Sequence, residues 1–171
     1  LFDNQNFTIN RGQKLLIYGP SGCGKTTLIN LMSGLLQSQF GKIIFESQDL
    51  FKLSEKQLDK LRAENFGFVF QKLYLINYLN VEQNIQLANI SSNSSDMNSL
   101  IEELGLLDKR KSKIRELSVG EAQRVVIARA IVSKPKVIFA DEPTSALDDN
   151  NSEKVMKLLF TQAEKNNTTL I

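Results

Sequence analysis

Short apolar runs alternate along this chain with longer stretches of helical spacing, and the alternation predicts an architecture. Leu15-Leu16-Ile17-Tyr18, Lys42-Ile43-Ile44-Phe45, Phe66-Gly67-Phe68-Val69-Phe70 and Val137-Ile138-Phe139-Ala140 are too short for helices. They read as strands, the first as a buried one, and Thr168-Thr169-Leu170-Ile171 begins a fifth. Between them apolar residues recur every three or four positions, as in Leu28, Leu31, Met32 and Leu35. Ser54 to Ala63 reads as a helix with Leu58 and Leu61 inward and Ser54 as its N-cap. A longer helix runs from Ser118 to near Ser133, stopped by Pro135, and another from about Asn151 to Lys165.

From Lys72 to Glu116 the strand pattern disappears. Helical spacing around Val81, Ile85 and Leu87, and around Leu100, Ile101 and Leu104, flanks a Ser/Asn-rich stretch. That stretch, Asn89 to Ser99, reads as a mobile loop. The chain is therefore expected to be one α/β domain with a mainly parallel sheet. Residues 1–71 and 117–171 would form its core and 72–116 a helical insert that leaves the sheet and returns. Both ends break into apparent strands, so the sequence reads as a fragment truncated at each end.

Composition narrows the function classes. A net charge of +2 gives no electrostatic reason to expect nucleic acid or an anionic membrane as the main partner. The single cysteine, Cys23, excludes an internal disulfide and fits a reducing cytosol. No apolar run approaches the roughly 18 residues of a membrane span. The longest, Val125 to Val132, is interrupted by Arg129.

The first strand delivers the chain into Gly19-Pro20-Ser21-Gly22-Cys23-Gly24-Lys25-Thr26, a full P-loop pattern. The glycines let the backbone turn sharply and aim N–H groups at phosphate oxygens. The following helix adds its positive dipole end. Lys25 supplies a charge to the β- and γ-phosphates, and the Thr26 hydroxyl is a Mg²⁺ ligand candidate. A chance glycine turn before a helix is the bland alternative, and the strand-loop-helix context disfavours it. The strand ending at Ala140 runs into Asp141-Glu142. Neighbouring side chains on a strand point to opposite sides, so these two carboxylates have different jobs. Asp141 fits the Mg²⁺-holding acid of P-loop enzymes. Ser118-Val119-Gly120-Glu121 is a capping box, Ser118 as N-cap and Glu121 three residues on.

The P-loop, then Leu117-Ser118-Val119-Gly120-Glu121-Ala122-Gln123-Arg124, then the carboxylate strand, resembles the ATP-binding cassette (ABC) ATPases over nearly the whole chain. The resemblance implies an ABC ATPase fold, a P-loop core with a helical subdomain, and hydrolysis of ATP with Mg²⁺. It implies that Thr27 touches the α-phosphate and that Glu142 polarises the attacking water. Gln71, closing its strand, would be the glutamine that reaches Mg²⁺ or that water. Ser118, Val119, Gly120 and Glu121 would bind the γ-phosphate held by a second ATPase subunit, most simply another copy of the chain. Asp148, in Ser145-Ala146-Leu147-Asp148, would cross that dimer interface. An integral membrane permease would complete the assembly, with this subunit peripheral on the cytoplasmic face and no nucleic acid involved. Leu61-Arg62 with Phe66 to Gln71, and Leu79 to Ile85, are similar to the lipoprotein-releasing and macrolide-exporter group, which leans the reading towards export.

Two other readings stand beside it: a soluble ABC ATPase of DNA repair or translation, and a weakly hydrolysing, nucleotide-gated regulatory module. Residues 72–116 are few for the long coiled coil of the repair type. The family's switch histidine and adenine-stacking aromatic fall outside the sequence, so the fragment alone is expected to hydrolyse ATP poorly. The signature departs from Leu-Ser-Gly-Gly-Gln at Val119 and Glu121. A β-branched residue adds bulk where the family keeps glycine. Val119→Gly is expected to raise ATP turnover while leaving ATP binding intact; an unchanged rate in a steady-state phosphate-release assay would make the valine inconsequential.

Overall fold

Phe66 to Val69 and Val137 to Ala140 lie side by side in parallel, and this pairing organises the molecule. In the computed structural model, which describes residues 6–88 and 94–171, these segments are β3 and β4. They form a three-stranded parallel sheet with β5 (Thr169–Leu170), in the order β3-β4-β5. β1 (Ile44–Phe45) and β2 (Gln48–Asp49) make a separate antiparallel hairpin. Its turn residues Glu46 and Ser47 have φ of 45° and 69°, the two-residue geometry that matches strand twist.

The segment before the P-loop differs from its expectation as a buried strand. Lys14 makes a single parallel bridge to Leu170, and the Leu15 N–H reaches the Leu170 carbonyl at 2.8 Å. Beyond that the backbone has no ladder among the described residues, and Leu16 and Tyr18 are 82% and 88% exposed. Leu15 and Ile17 are half-buried, and Ile17 packs against the cluster around Phe66 and Phe139.

Helices α1 (Lys25–Met32), α2 (Glu55–Asn65), α5 (Val119–Ile131) and α6 (Asp149–Lys165) surround the sheet. α1 stops earlier than its apolar spacing suggests. Gly34 takes a φ of 68° and its N–H returns to the Leu31 carbonyl, so Leu35 falls outside and is exposed. α2 buries Leu58 and Leu61, with the Gln57 side chain accepting from the Ser54 N–H at 2.9 Å. α6 begins at Asp149 rather than Asn151, because Asp148 caps it.

Helices α3 (Val81–Gln86) and α4 (Ser94–Glu103) occupy the middle of the chain. Part of the expected loop is therefore helix: residues 94–99 lie in α4, and Met97 is buried beside Ile101 and Leu104. Residues 89–93 of that loop lie outside the described residues. Within α3, Asn84 is fully buried. Its side chain accepts from the Ile76 N–H at 2.8 Å and donates to the Ile76 and Asn80 carbonyls. Glu82 pairs with Arg110 and Lys111, and these partners hold its carboxyl down at about 2.

α5 is apolar nearly all round, the mark of a helix buried on more than one side. Val126, Ile127, Ala130 and Ile131 pack with the sheet and α6, while Val125, Ala128 and Val132 pack with α3 and α4. The approach to β3 is close: a Cβ at Gly67 would stand 2.2 Å from the Ala130 carbonyl oxygen and 3.1 Å from Pro135. Backbone cannot yield as a side-chain tip can. Gly67→Ala is expected to destabilise the fold by about 1–3 kcal/mol through overpacking, read as a lower urea midpoint with an unchanged slope.

Candidate active site

Parallel sheets gather functional groups beyond the carboxyl ends of their strands, and this one does so. β3 delivers Gln71, β4 delivers Asp141 and Glu142, and the loop ahead of α1 lies between glycines of positive φ, Gly22 at 78° and Gly24 at 102°. An L-residue with a side chain rarely adopts these angles. Ser21, Gly22 and Cys23 are exposed, and Thr27 is half-buried on α1. Gly19 and Pro20 offer their carbonyls to the Lys25 ammonium at 3.0 and 3.3 Å.

The two carboxylates diverge as expected. Asp141 is buried, its N–H continues the ladder to the Val69 carbonyl at 2.8 Å, and its Oδ2 accepts from the Thr26 hydroxyl at 2.8 Å. Glu142 points elsewhere: Oε2 accepts from Gln71 Nε2 at 3.0 Å, and Oε1 lies 3.9 Å from Lys25 Nζ. Thr26 with Asp141, and Lys25 and Gln71 with Glu142, thus form two contact sets placed side by side by the chain neighbours Lys25–Thr26 and Asp141–Glu142. An oxygen donor set of one hydroxyl and one carboxylate suits Mg²⁺ shared with phosphate oxygens better than a softer metal. Among the described residues no cluster of three His, Cys, Asp or Glu offers an all-protein metal site.

The divergence has a backbone cause that strand alternation does not supply. β4 ends at Ala140, and Glu142 takes a φ of 48°. Tyr74, three residues past Gln71, takes a φ of 45°. For residues of this bulk the conformation costs on the order of 1–3 kcal/mol and needs support from its surroundings.

The signature residues make their contacts away from this group. Ser118 caps α5: its hydroxyl accepts from the Glu121 N–H at 3.2 Å, and its own N–H donates to Glu121 Oε2 at 2.7 Å. Those bonds, with Lys109 at 3.7 Å and Arg124, hold the Glu121 carboxyl below its ordinary value. Val119 stands 54% exposed on the first turn, and Gly120 faces Asn151 at the start of α6. Asp148 accepts from the Asn151 N–H at 3.0 Å and from its side-chain amide at 2.6 Å, which lowers its carboxyl too. The starts of α5 and α6 therefore adjoin.

Two residues of this region were not legible as site residues. Gln123 is buried on α5 and donates to the Pro143 carbonyl at 2.7 Å. Arg129, half-buried, donates to the Tyr74 carbonyl at 2.7 Å and the Leu73 carbonyl at 2.9 Å. A charge inside an otherwise apolar helical run was the available signal for Arg129.

A P-loop at the head of α1, two divergent carboxylates and a parallel sheet define a nucleotide triphosphatase. The family model described as ABC transporter matches residues 2–145, and the chain belongs to that family. It is 37% identical over 177 aligned positions to the lipoprotein-releasing system ATP-binding protein LolD of Treponema denticola, covering all of this chain and 78% of that protein. It is 36% identical to the macrolide export ATP-binding/permease protein MacB of Photorhabdus laumondii, covering all of this chain and 27% of that larger protein. Among solved structures, the dimeric post-hydrolysis state of the cassette MJ0796 bound to ADP and Pi superposes with a TM-score of 0.83 at 33% identity. That match covers 96% of this chain and 76% of the other. The chain is an ATP-binding, ATP-hydrolysing subunit of the ABC transporter class.

Cys23 is the chain's only cysteine, it is exposed, and it sits inside the phosphate loop. Alkylation with N-ethylmaleimide is therefore expected to abolish ATP binding, and saturating ATP to protect the thiol. Equal labelling with and without ATP, read by intact-mass spectrometry, would remove this loop from the nucleotide site.

Proposed function

We propose that the Lys25–Thr26–Gln71–Asp141–Glu142 group is the hydrolytic centre of a transporter ATPase acting as a dimer beneath a membrane permease. The observation that carries this is the division of labour at the end of β4. Asp141 faces the Thr26 hydroxyl, and Glu142 faces Gln71 and Lys25.

In this reading Gly19 to Gly24 cradle the phosphates through backbone N–H groups, Lys25 neutralises the β- and γ-phosphates, and Thr27 meets the α-phosphate. Lys25 exchanges its bonds to the Gly19 and Pro20 carbonyls for phosphate oxygens. Thr26, Asp141 and Gln71 are the ligands that would hold Mg²⁺, which supplies charge neutralisation across the β- and γ-phosphates. Glu142 accepts a proton from the attacking water while Gln71 fixes the orientation of that carboxylate. Water oxygen bonds to the γ-phosphorus as its bond to the β-phosphate oxygen breaks, giving ADP and phosphate.

The start of α5 suits an anion from a second subunit. Ser118 and Glu121 satisfy each other, while the first helical N–H groups, Val119 and Gly120, have no intrahelical acceptor. The described relative MJ0796 is dimeric, which supports a pair of copies here, with Asp148 near the junction. Residues 1–71 and 117–171 act as the ATPase core, and 72–116 as the helical insert facing the permease. Among the described residues no helix is long and apolar enough to cross a membrane. The subunit is peripheral, on the cytoplasmic face. The lipoprotein-releasing and macrolide-export relatives favour export.

Glu142→Gln is isosteric but cannot take up a proton. It is expected to lower ATP turnover by about 10²–10⁴-fold while ATP affinity is kept. An ATP-dependent dimer should then persist on size-exclusion chromatography. Wild-type turnover in this variant would refute the assignment of the base.

A further inference from the structure

Gln71 and Glu142 meet at 3.0 Å, yet each lies in or next to a turn that is unfavourable for its residues. Glu142 itself has a φ of 48°, and Tyr74, just beyond Gln71, has a φ of 45°. Turns of this kind persist only where neighbouring structure over-determines them. Both are fastened by the same helix. Gln123 of α5 donates to the carbonyl of Pro143, the residue after Glu142, at 2.7 Å. Further along α5, Arg129 donates one guanidinium arm to the Tyr74 carbonyl at 2.7 Å and the other to the Leu73 carbonyl at 2.9 Å. Neither side chain makes a hydrogen bond or ion pair with Lys25, Thr26, Gln71, Asp141 or Glu142.

We infer that Gln123 and Arg129 are positioning residues, which hold two strained turns so that Gln71 and Glu142 meet in hydrolytic register. The inference rests on the proposed role of that pair and extends it to the helix behind. A planar two-armed donor fixes two successive carbonyls at once, whereas a single ammonium fixes a point. α5 has little freedom to follow a loosened loop, because its apolar faces are packed against both the sheet and the helices α3 and α4. Loss of either fastening therefore shifts the loop relative to the helix. Displacements of about 1 Å at such a pair are worth up to about 10²-fold in rate.

The test is a double-mutant cycle on the full-length protein. Arg129→Lys keeps the charge with one donor group, and Gln123→Met keeps length and burial with none. Each is combined with Glu142→Gln, and kcat, KM, equilibrium ATP affinity and Tm are measured. Each single variant is expected to lose about tenfold or more in kcat with ATP affinity within about twofold. In the Glu142→Gln background the same changes should cost almost nothing further, because groups acting through one residue are non-additive. Unchanged kcat, parallel loss of kcat and ATP affinity, or full additivity with Glu142→Gln would each overturn the inference. Gln123→Met carries the test should Arg129→Lys fold poorly. Wild-type turnover by Glu142→Gln alone is a different failure, since it removes the lytic pair rather than its supports.

Discussion

Helix α5 is buried on two sides at once, and most of the remaining structure is arranged around that fact. Val126, Ile127 and Ile131 join the sheet cluster, while Val125 and Val132 join the cluster with α3 and α4. Each such side chain contributes roughly 1.5–3 kcal/mol on leaving water. One helix therefore ties what would otherwise be two separate apolar cores. Its closeness to β3, where Gly67 leaves room for the Ala130 carbonyl, gives the joint little slack. Close packing of this kind transmits displacement instead of absorbing it.

The polar contacts follow the same geometry. Parallel pairing of β3 with β4 sets Val69 beside Ala140, so the residues emerging from the two strands meet just beyond the sheet. Asp141 stays on the ladder through the Val69 carbonyl and is buried; Glu142 leaves it through a positive φ and is exposed. A buried carboxylate next to a hydroxyl suits a fixed ligand. An exposed one beside an amide and an ammonium suits a group that must exchange a proton with water. The assignment of roles thus depends on backbone exit angles as much as on residue type.

That dependence marks what was legible in the sequence. The P-loop, the β4 strand, the Ser118–Glu121 cap and the long helices were readable because each is encoded by local spacing or by neighbours within four positions. Membership of the ABC family followed from motif order. The turn at Glu142 was not readable: no glycine or asparagine marks it, and the side chain that fastens the next residue, Gln123 on the Pro143 carbonyl, belongs to α5, outside the local window that a sequence pattern covers. The exposure of Leu16 and Tyr18 was missed because an apolar run predicts burial only where a neighbouring strand exists to cover it. The start of α4 was missed because Ser and Asn in series favour a loop locally, whereas Met97, Ile101 and Leu104 anchor a helix through tertiary packing.

The unusual signature can be understood in the same physical terms. A glutamate at the third helical position puts a negative charge near a helix start that is read as an anion site. Left free, that charge would oppose a phosphate. Here the Ser118 N–H takes one carboxylate oxygen at 2.7 Å, and Lys109 lies 3.7 Å from the other. The carboxylate is turned into the cap and partly neutralised, which strengthens the helix start and limits the field it presents outward. The valine at the preceding turn position is compatible with this arrangement because its side chain stands in solvent and Gly120 keeps the adjoining face open towards Asn151. The two departures therefore alter the charge and bulk around the helix start while leaving its donors in place.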